Sequence, residues 1–133
     1  MRKLKTYLKR KRRGGDSMKD FEVADVFKIK RRVCVVVKMN LYRFGQYHNG
    51  YVSVSKKHQE ANYGGFISKI ETDELTFAGD LNHLEDERIP KDISFFGFDS
   101  AHAWNQQNPE SATFQSVRER TIKLAQEMMA KRI

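Results

Sequence analysis

The 133 residues predict an α+β fold, a small, mainly antiparallel β-sheet packed by one C-terminal α-helix. Three observations carry that expectation. Residues 33–37 are β-branched apart from Cys34 and apolar throughout, as a central strand buried on both faces requires. Asn49-Gly50, a dipeptide suited to the positive φ of a tight turn, precedes Tyr51-Val-Ser-Val-Ser55, so the Val run and the Tyr51 segment read as a hairpin. From about Thr113 the apolar period becomes helical. Val117, Thr121, Leu124, Ala125 and Met128 share one face, with Arg118, Glu119, Arg120, Lys123 and Glu127 mostly outside.

The remaining elements follow in order. Residues 25–30 read as a first strand, turned back through Arg31-Arg32 onto 33–39, and Lys28, Lys30, Arg31, Arg32 and Lys38 make that hairpin basic. Between Leu41 and His48 the aromatics Tyr42, Phe44 and Tyr47 interleave with Arg43 around Gly45, which suits either base stacking or packing at a hairpin mouth. A polar loop from Ser55 to Tyr63 closes on Gly64-Gly65, and 66–70 then forms a short strand. After a turn at 71–74, Leu75-Thr-Phe77 is another. Residues 78–92 are acidic, contain Pro90, and read as a surface loop. Residues 93–99 form the last strand, and Asn105–Glu110 a polar loop.

The length fits one domain. The single cysteine, Cys34, lies inside the Val run, which suits a core thiol and gives no disulfide framework. No apolar h-region follows the basic N-terminus, and no apolar run approaches the ~20 residues of a membrane span. The expected setting is the cytoplasm of a bacterial cell, with no membrane partner.

The net charge of +8 is concentrated at one end. Residues 1–13 hold eight Lys or Arg and no acid, which leaves 17 basic against 17 acidic residues from Gly14 onward. Two readings of residues 1–17 stand. Leu4, Tyr7 and Leu8 at helical spacing among cations allow a basic arm for nucleic acid, with Lys9, Arg10, Lys11, Arg12 and Arg13 joined by Lys30, Arg31 and Arg32. Alternatively, Arg13-Gly-Gly-Asp-Ser-Met18 can be encoded by a bacterial ribosome-binding sequence upstream of an ATG. The start would then be Met18, and the protein the single α+β domain 18–133.

The chemistry-bearing residues are sparse. The histidines, at 48, 58, 83 and 102, lack metal-ligand spacing, and there is neither a Walker loop nor a GxGxxG motif, so no metal or other cofactor is expected. Asp99, Ser100, His102 and Trp104 cluster at the end of the last strand, where ligand sites tend to be built. Asp99, His102 and Trp104, with Tyr51 and His58, suggest a pocket that stacks on and hydrogen-bonds a nucleobase. Asp99 and His102 also admit a small hydrolase or nuclease, or a loop fixed by hydrogen bonds.

Cys34-Val-Val-Val37, Asn49-Gly-Tyr-Val-Ser-Val54, His58, Leu75-Thr-Phe-Ala-Gly79 and Gly97-Phe-Asp-Ser-Ala-His102 stand in a recognisable order, before a helix with Val117 and Leu124-Ala-Gln126. Over residues 25–130 this resembles a widespread family of short proteins encoded by phages and prophages of bacteria. Family members carry His-Gly-Gly before the Leu-Thr-aromatic strand, where this chain has Thr72-Asp-Glu74. The resemblance implies a phage-encoded binding protein that inhibits a host defence system without catalysis. It would engage a CRISPR effector or another defence complex, or sequester a nucleotide signal. The alternatives are a nucleic-acid-binding protein acting through its basic tail, and a small hydrolase using Asp99 and His102.

Overall fold

The computed structural model describes residues 20–41, 45–58 and 69–133. Among them five strands form one sheet: β1 (Phe21–Ile29), β2 (Arg32–Leu41), β3 (Gly45–Ser53), β4 (Phe77–Gly79) and β5 (Phe95–Asp99). Their order is β1-β2-β3-β5-β4 and every neighbouring pair is antiparallel. A short helix, α1 (Ala103–Gln107), and a long one, α2 (Phe114–Ala130), follow β5. The α+β architecture with a C-terminal helix on the sheet is the expected one.

The Val run explains the layering. β2 lies between β1 and β3, so alternate side chains enter two separate cores. Cys34 and Val36 join Val52, Phe96 and Phe98 on the face that α2 covers with Val117, Leu124, Ala125 and Met128. Val33, Val35 and Val37 join Tyr47, Tyr51 and Phe95 on the other face, which Leu81 and Ile89 close. Each such side chain, fully buried, stabilises by about 1.5–3 kcal/mol relative to exposure. Burial pushes the Cys34 thiol up to about 12, as an inert core group.

Several elements differ from expectation. Asn49-Gly50 is not a turn: both residues sit within β3, paired with Val37 and Val36. Gly50 serves close packing instead, because a Cβ there would lie 2.6 Å from Phe98 Cζ and nearer still to Thr121 Oγ1 of α2. The first strand is longer than 25–30, and a bulge at Ala24 shifts its register against β2. Phe21 and Val23 therefore pack on the second face, and Phe27 and Ile29 on the helix-covered one.

The 78–92 segment is acidic but no mere surface loop, since Leu81 and Ile89 are buried in the second core. The strand expected at 75–77 occupies Phe77–Gly79, with Leu75 buried beside it. The loop expected at 105–110 contains the end of α1 and a 3₁₀ turn, Pro109–Ala112. The basic segment 1–17 and most of the strand expected at 66–70 lie outside the described residues. Lys69 is in a turn, and Ile70 is buried but outside any strand.

α2 begins at the N-cap Thr113, whose Oγ1 accepts from Ser116 N–H at 3.3 Å. Near its other end Glu127, expected outside, clasps the 69–72 segment. Its carboxylate accepts from Glu71 N–H (2.6 Å), Thr72 N–H (2.8 Å) and Lys131 Nζ (2.7 Å), while Lys131 also donates to the Lys69 carbonyl. Burial opposes ionisation of Glu127, but these hydrogen bonds outweigh it and hold the carboxyl at about 2.

Candidate functional site

β5 ends at Asp99, and the chain turns there on its side chain. Asp99 Oδ1 accepts from Ala101 N–H at 3.0 Å, two residues on, and Oδ2 accepts from Thr76 Oγ1 at 3.1 Å. His102 follows, with Nε2 3.6 Å from Asp99 Oδ1, an ion-pair distance too long for a hydrogen bond. His102 N–H donates to Asn105 Oδ1 at 3.2 Å, which starts α1. Trp104, two residues beyond His102, is 61% exposed, the one large apolar side chain among the described residues that is.

Beneath this turn lies a second polar layer. Arg120 of α2, expected outside, projects to the end of β5 instead. Its Nη1 donates to Asp73 Oδ1 (3.0 Å), and Nη2 to Ser100 Oγ (2.9 Å) and the Ser111 carbonyl (2.6 Å), with the guanidinium 5.1 Å from the Phe98 ring centroid. Asn105 Nδ2 donates to Ser111 Oγ at 2.8 Å. One cation thus ties together the strand end, the 3₁₀ turn and the 71–74 segment. Burial pushes the Asp73 carboxyl up, and the charges of Arg120 and His102 act in the opposite direction.

β3 contributes a third group, on the face of the sheet that carries the Asp99 side chain. Asn49 pairs with Asp99 across the ladder and is only 9% exposed. Its Nδ2 donates to the Tyr51 hydroxyl at 3.3 Å, while Oδ1 has no hydrogen-bond partner among the described residues. His102 Nε2, Asp73 Oδ2 and Arg120 Nε share that condition. Burial raises the Tyr47 hydroxyl pKa, and the Asp99 charge raises it further.

The structure thus brings Asp99 and His102 together, with Trp104 two residues on, but not all five predicted pocket residues. Tyr51 is buried, its ring edge-on to Phe77 at 5.3 Å between centroids, and burial pushes its hydroxyl up to about 12. His58 lies in a 3₁₀ turn beyond Ser53, which pairs with Phe95, so it stands past the end of β5 away from Asp99. There its Nδ1 is hydrogen-bonded to Ser55 Oγ at 2.8 Å. Ser100, between Asp99 and His102 in sequence, is buried and held by Arg120.

Of the basic candidates, Lys30 and Arg31 are exposed at the β1–β2 turn. Arg32 is 8% exposed, and its Nη1 donates to the Ser53 carbonyl at 3.0 Å, so it serves the sheet rather than a phosphate. Lys9 to Arg13 lie outside the described residues.

Sequence reasoning missed Asn49, Asp73, Thr76, Asn105 and Arg120. Arg120 alone left a signal, since it stands three residues after Val117 and four before Leu124, on the buried stripe. Among the described residues no group of three or more His, Cys, Asp or Glu side chains is arranged to hold a metal ion. No helix among them is long and apolar enough to cross a membrane. No family model, curated protein or solved structure matches the chain.

Proposed function

We propose that this chain is a non-enzymatic binding protein that captures a nucleotide at the end of β5, and that in a phage setting it sequesters a signal of a host defence system. The observation carrying this reading is the Asp99–Trp104 turn. A fixed carboxylate, an imidazole 3.6 Å from it and, two residues further along the same turn, an exposed indole supply groups for hydrogen bonding and for stacking.

Capture is favoured over turnover because the hydroxyl nearest in sequence, Ser100 Oγ, is buried and engaged by Arg120. A hydrolase reading needs a nucleophile or an activated water beside His102. A nucleic-acid reading draws on Lys28, Lys30 and Arg31, exposed around the β1–β2 turn near the His58 end of the sheet. It requires binding that falls steeply with salt.

The test is titration of the purified chain with a panel of mono-, di- and cyclic nucleotides, followed through the fluorescence of its only tryptophan, Trp104. Saturable one-to-one binding, with the ligand recovered intact, is the expected result. Conversion of the ligand would sink the non-enzymatic reading, and silence across the panel would sink the nucleotide reading.

A further inference from the structure

The end of the sheet opposite Asp99 draws cations from three separate parts of the chain. Arg32 Nη1 donates to the Ser53 carbonyl at 3.0 Å, and Ser53 Oγ accepts from Val33 N–H at 2.9 Å, which sets the Lys30-Arg31 turn beside the end of β3. Two residues on, Ser55 N–H donates to the main-chain oxygen of Ile133 at 3.1 Å, which brings the end of α2 to the same place. Lys30, Arg31, Lys56 and Arg132 stand within two residues of these anchors, and all four are exposed.

Two of these cations occupy backbone positions that ordinarily fall to glycine. Lys30, at φ 54°, is the first central residue of the two-residue turn between β1 and β2. Arg132, at φ 58°, is the left-handed residue that closes α2. There Ile133 N–H reaches back to the Met128 carbonyl (2.8 Å) and Arg132 N–H to that of Met129 (3.1 Å). A side chain at either position adds strain that glycine would avoid, and the fold gains no ion pair to offset it. Arg88, Arg118, Arg120 and Lys131 each meet a carboxylate, whereas Lys30, Arg31, Lys56 and Arg132 have no acidic partner among the described residues. Glu127, the last acid of α2, is held by Lys131 and the 69–72 segment.

We propose that this end of the sheet is a docking surface for the phosphate backbone of duplex nucleic acid, bound without regard to base sequence. A duplex carries one charge per about 1.7 Å of its axis, so cations gathered in this way meet several phosphates at once. Among the described residues no large aromatic or apolar side chain is exposed here, since Trp104 stands at the other end. The surface therefore lacks both a platform for stacking bases and an anchor for a lipid interface. Such docking adds Lys56 and Arg132 to the nucleic-acid reading above and is independent of nucleotide capture at Asp99.

The experiment follows binding of the full chain to a short fluorescent duplex of arbitrary sequence between about 50 and 200 mM salt. Lys30→Gly, Arg31→Gln, Lys56→Gln and Arg132→Gly are combined, because glycine suits both left-handed positions and the fold is kept. Losing four phosphate contacts should flatten the slope of log affinity against log salt by about 3.6, at about 0.9 per contact. Lys38→Gln, at the Asp99 end of β2, should leave the slope unchanged.

A four-site variant that is folded by circular dichroism and keeps the parent slope overturns the inference, and leaves any binding to residues 1–13. Vesicles containing phosphatidylserine that the parent binds and the variant does not, with duplex affinity unchanged between them, overturn it in favour of a membrane surface. Absence of duplex binding by the parent overturns the inference and the nucleic-acid reading together, and leaves nucleotide titration of Trp104 as a separate question.

Discussion

Tyr51 on β3 and Gly97 on β5 stand directly opposite each other, and the tyrosine ring fills the space where a side chain at 97 would be. A Cβ on Gly97 would lie 2.7 Å from Tyr51 Cε1 and nearer still to Cδ1. One residue along, the arrangement recurs on the other face with the roles exchanged, Gly50 opposing Phe98. Aromatic rings laid over cross-strand glycines pin the register of the two strands.

Gly97→Ala is therefore expected to destabilise the fold by about 1–3 kcal/mol through overpacking. Combined with Tyr51→Ala, it should cost less than the sum of the two single changes, because the ring it strikes has gone. Chemical denaturation of the four chains measures that coupling. Strictly additive losses would refute the steric account.

Arg120 is the cation that compensates a buried carboxylate. Arg120→Met leaves Asp73 without its partner and should cost about 2 kcal/mol or more at neutral pH. Burial raises the Asp73 pKa in the fold, so the penalty of ionising it is absent in acid and grows as pH rises through the folded value. The deficit of Arg120→Met should accordingly shrink toward pH 4, and adding Asp73→Asn should recover part of it. A deficit unchanged between pH 4 and 7 would assign Arg120 to packing alone.

The Glu127 clasp gives the reverse pH dependence. Its folded carboxyl, at about 2, lies below the ordinary carboxylate value of ~4.3. Its contribution is thus complete above the unfolded value and fades as pH falls from ~4.5 toward 2. Glu127→Gln should be less stable than the parent at pH 7 and converge on it near pH 2, with faster amide exchange at Glu71 and Thr72. Parallel stability curves across that range would contradict the clasp.

The three basic residues at the first hairpin should separate cleanly. Arg32→Ala strips the buried Ser53 carbonyl of a donor and should cost about 1–3 kcal/mol. Lys30→Ala and Arg31→Ala, both at exposed positions, should change stability by less than about 0.5 kcal/mol. Thermal melts of the three variants decide this, and an Arg32→Ala chain as stable as the parent would return Arg32 to the surface.

The sequence made the layers visible because the Val run and the 113–130 period are long, one-signal patterns. It misled at Asn49-Gly50, where turn chemistry and close helix approach both call for glycine, and only the tertiary partner, Thr121, tells them apart. It misled again at 78–92, where acidic residues outnumber the two apolar ones, Leu81 and Ile89, that do the burying. Asp99 and His102 were legible as neighbours in sequence. Asn49, Asp73 and Arg120 reach the same end of the sheet from distant parts of the chain, and nothing local marks that convergence.

The bulge at Ala24 also limits what the outer margin of the sheet can recruit. A foreign strand that pairs along residues 25–29 meets one residue too many at 24, and beyond it each side chain turns to the opposite face. β1 therefore presents two short, mismatched edges instead of one nine-residue template, with the exposed Lys28 in the longer. Two copies that approach along this edge meet a register break at the bulge, which disfavours continuous pairing beside the Val-rich strand one position inward.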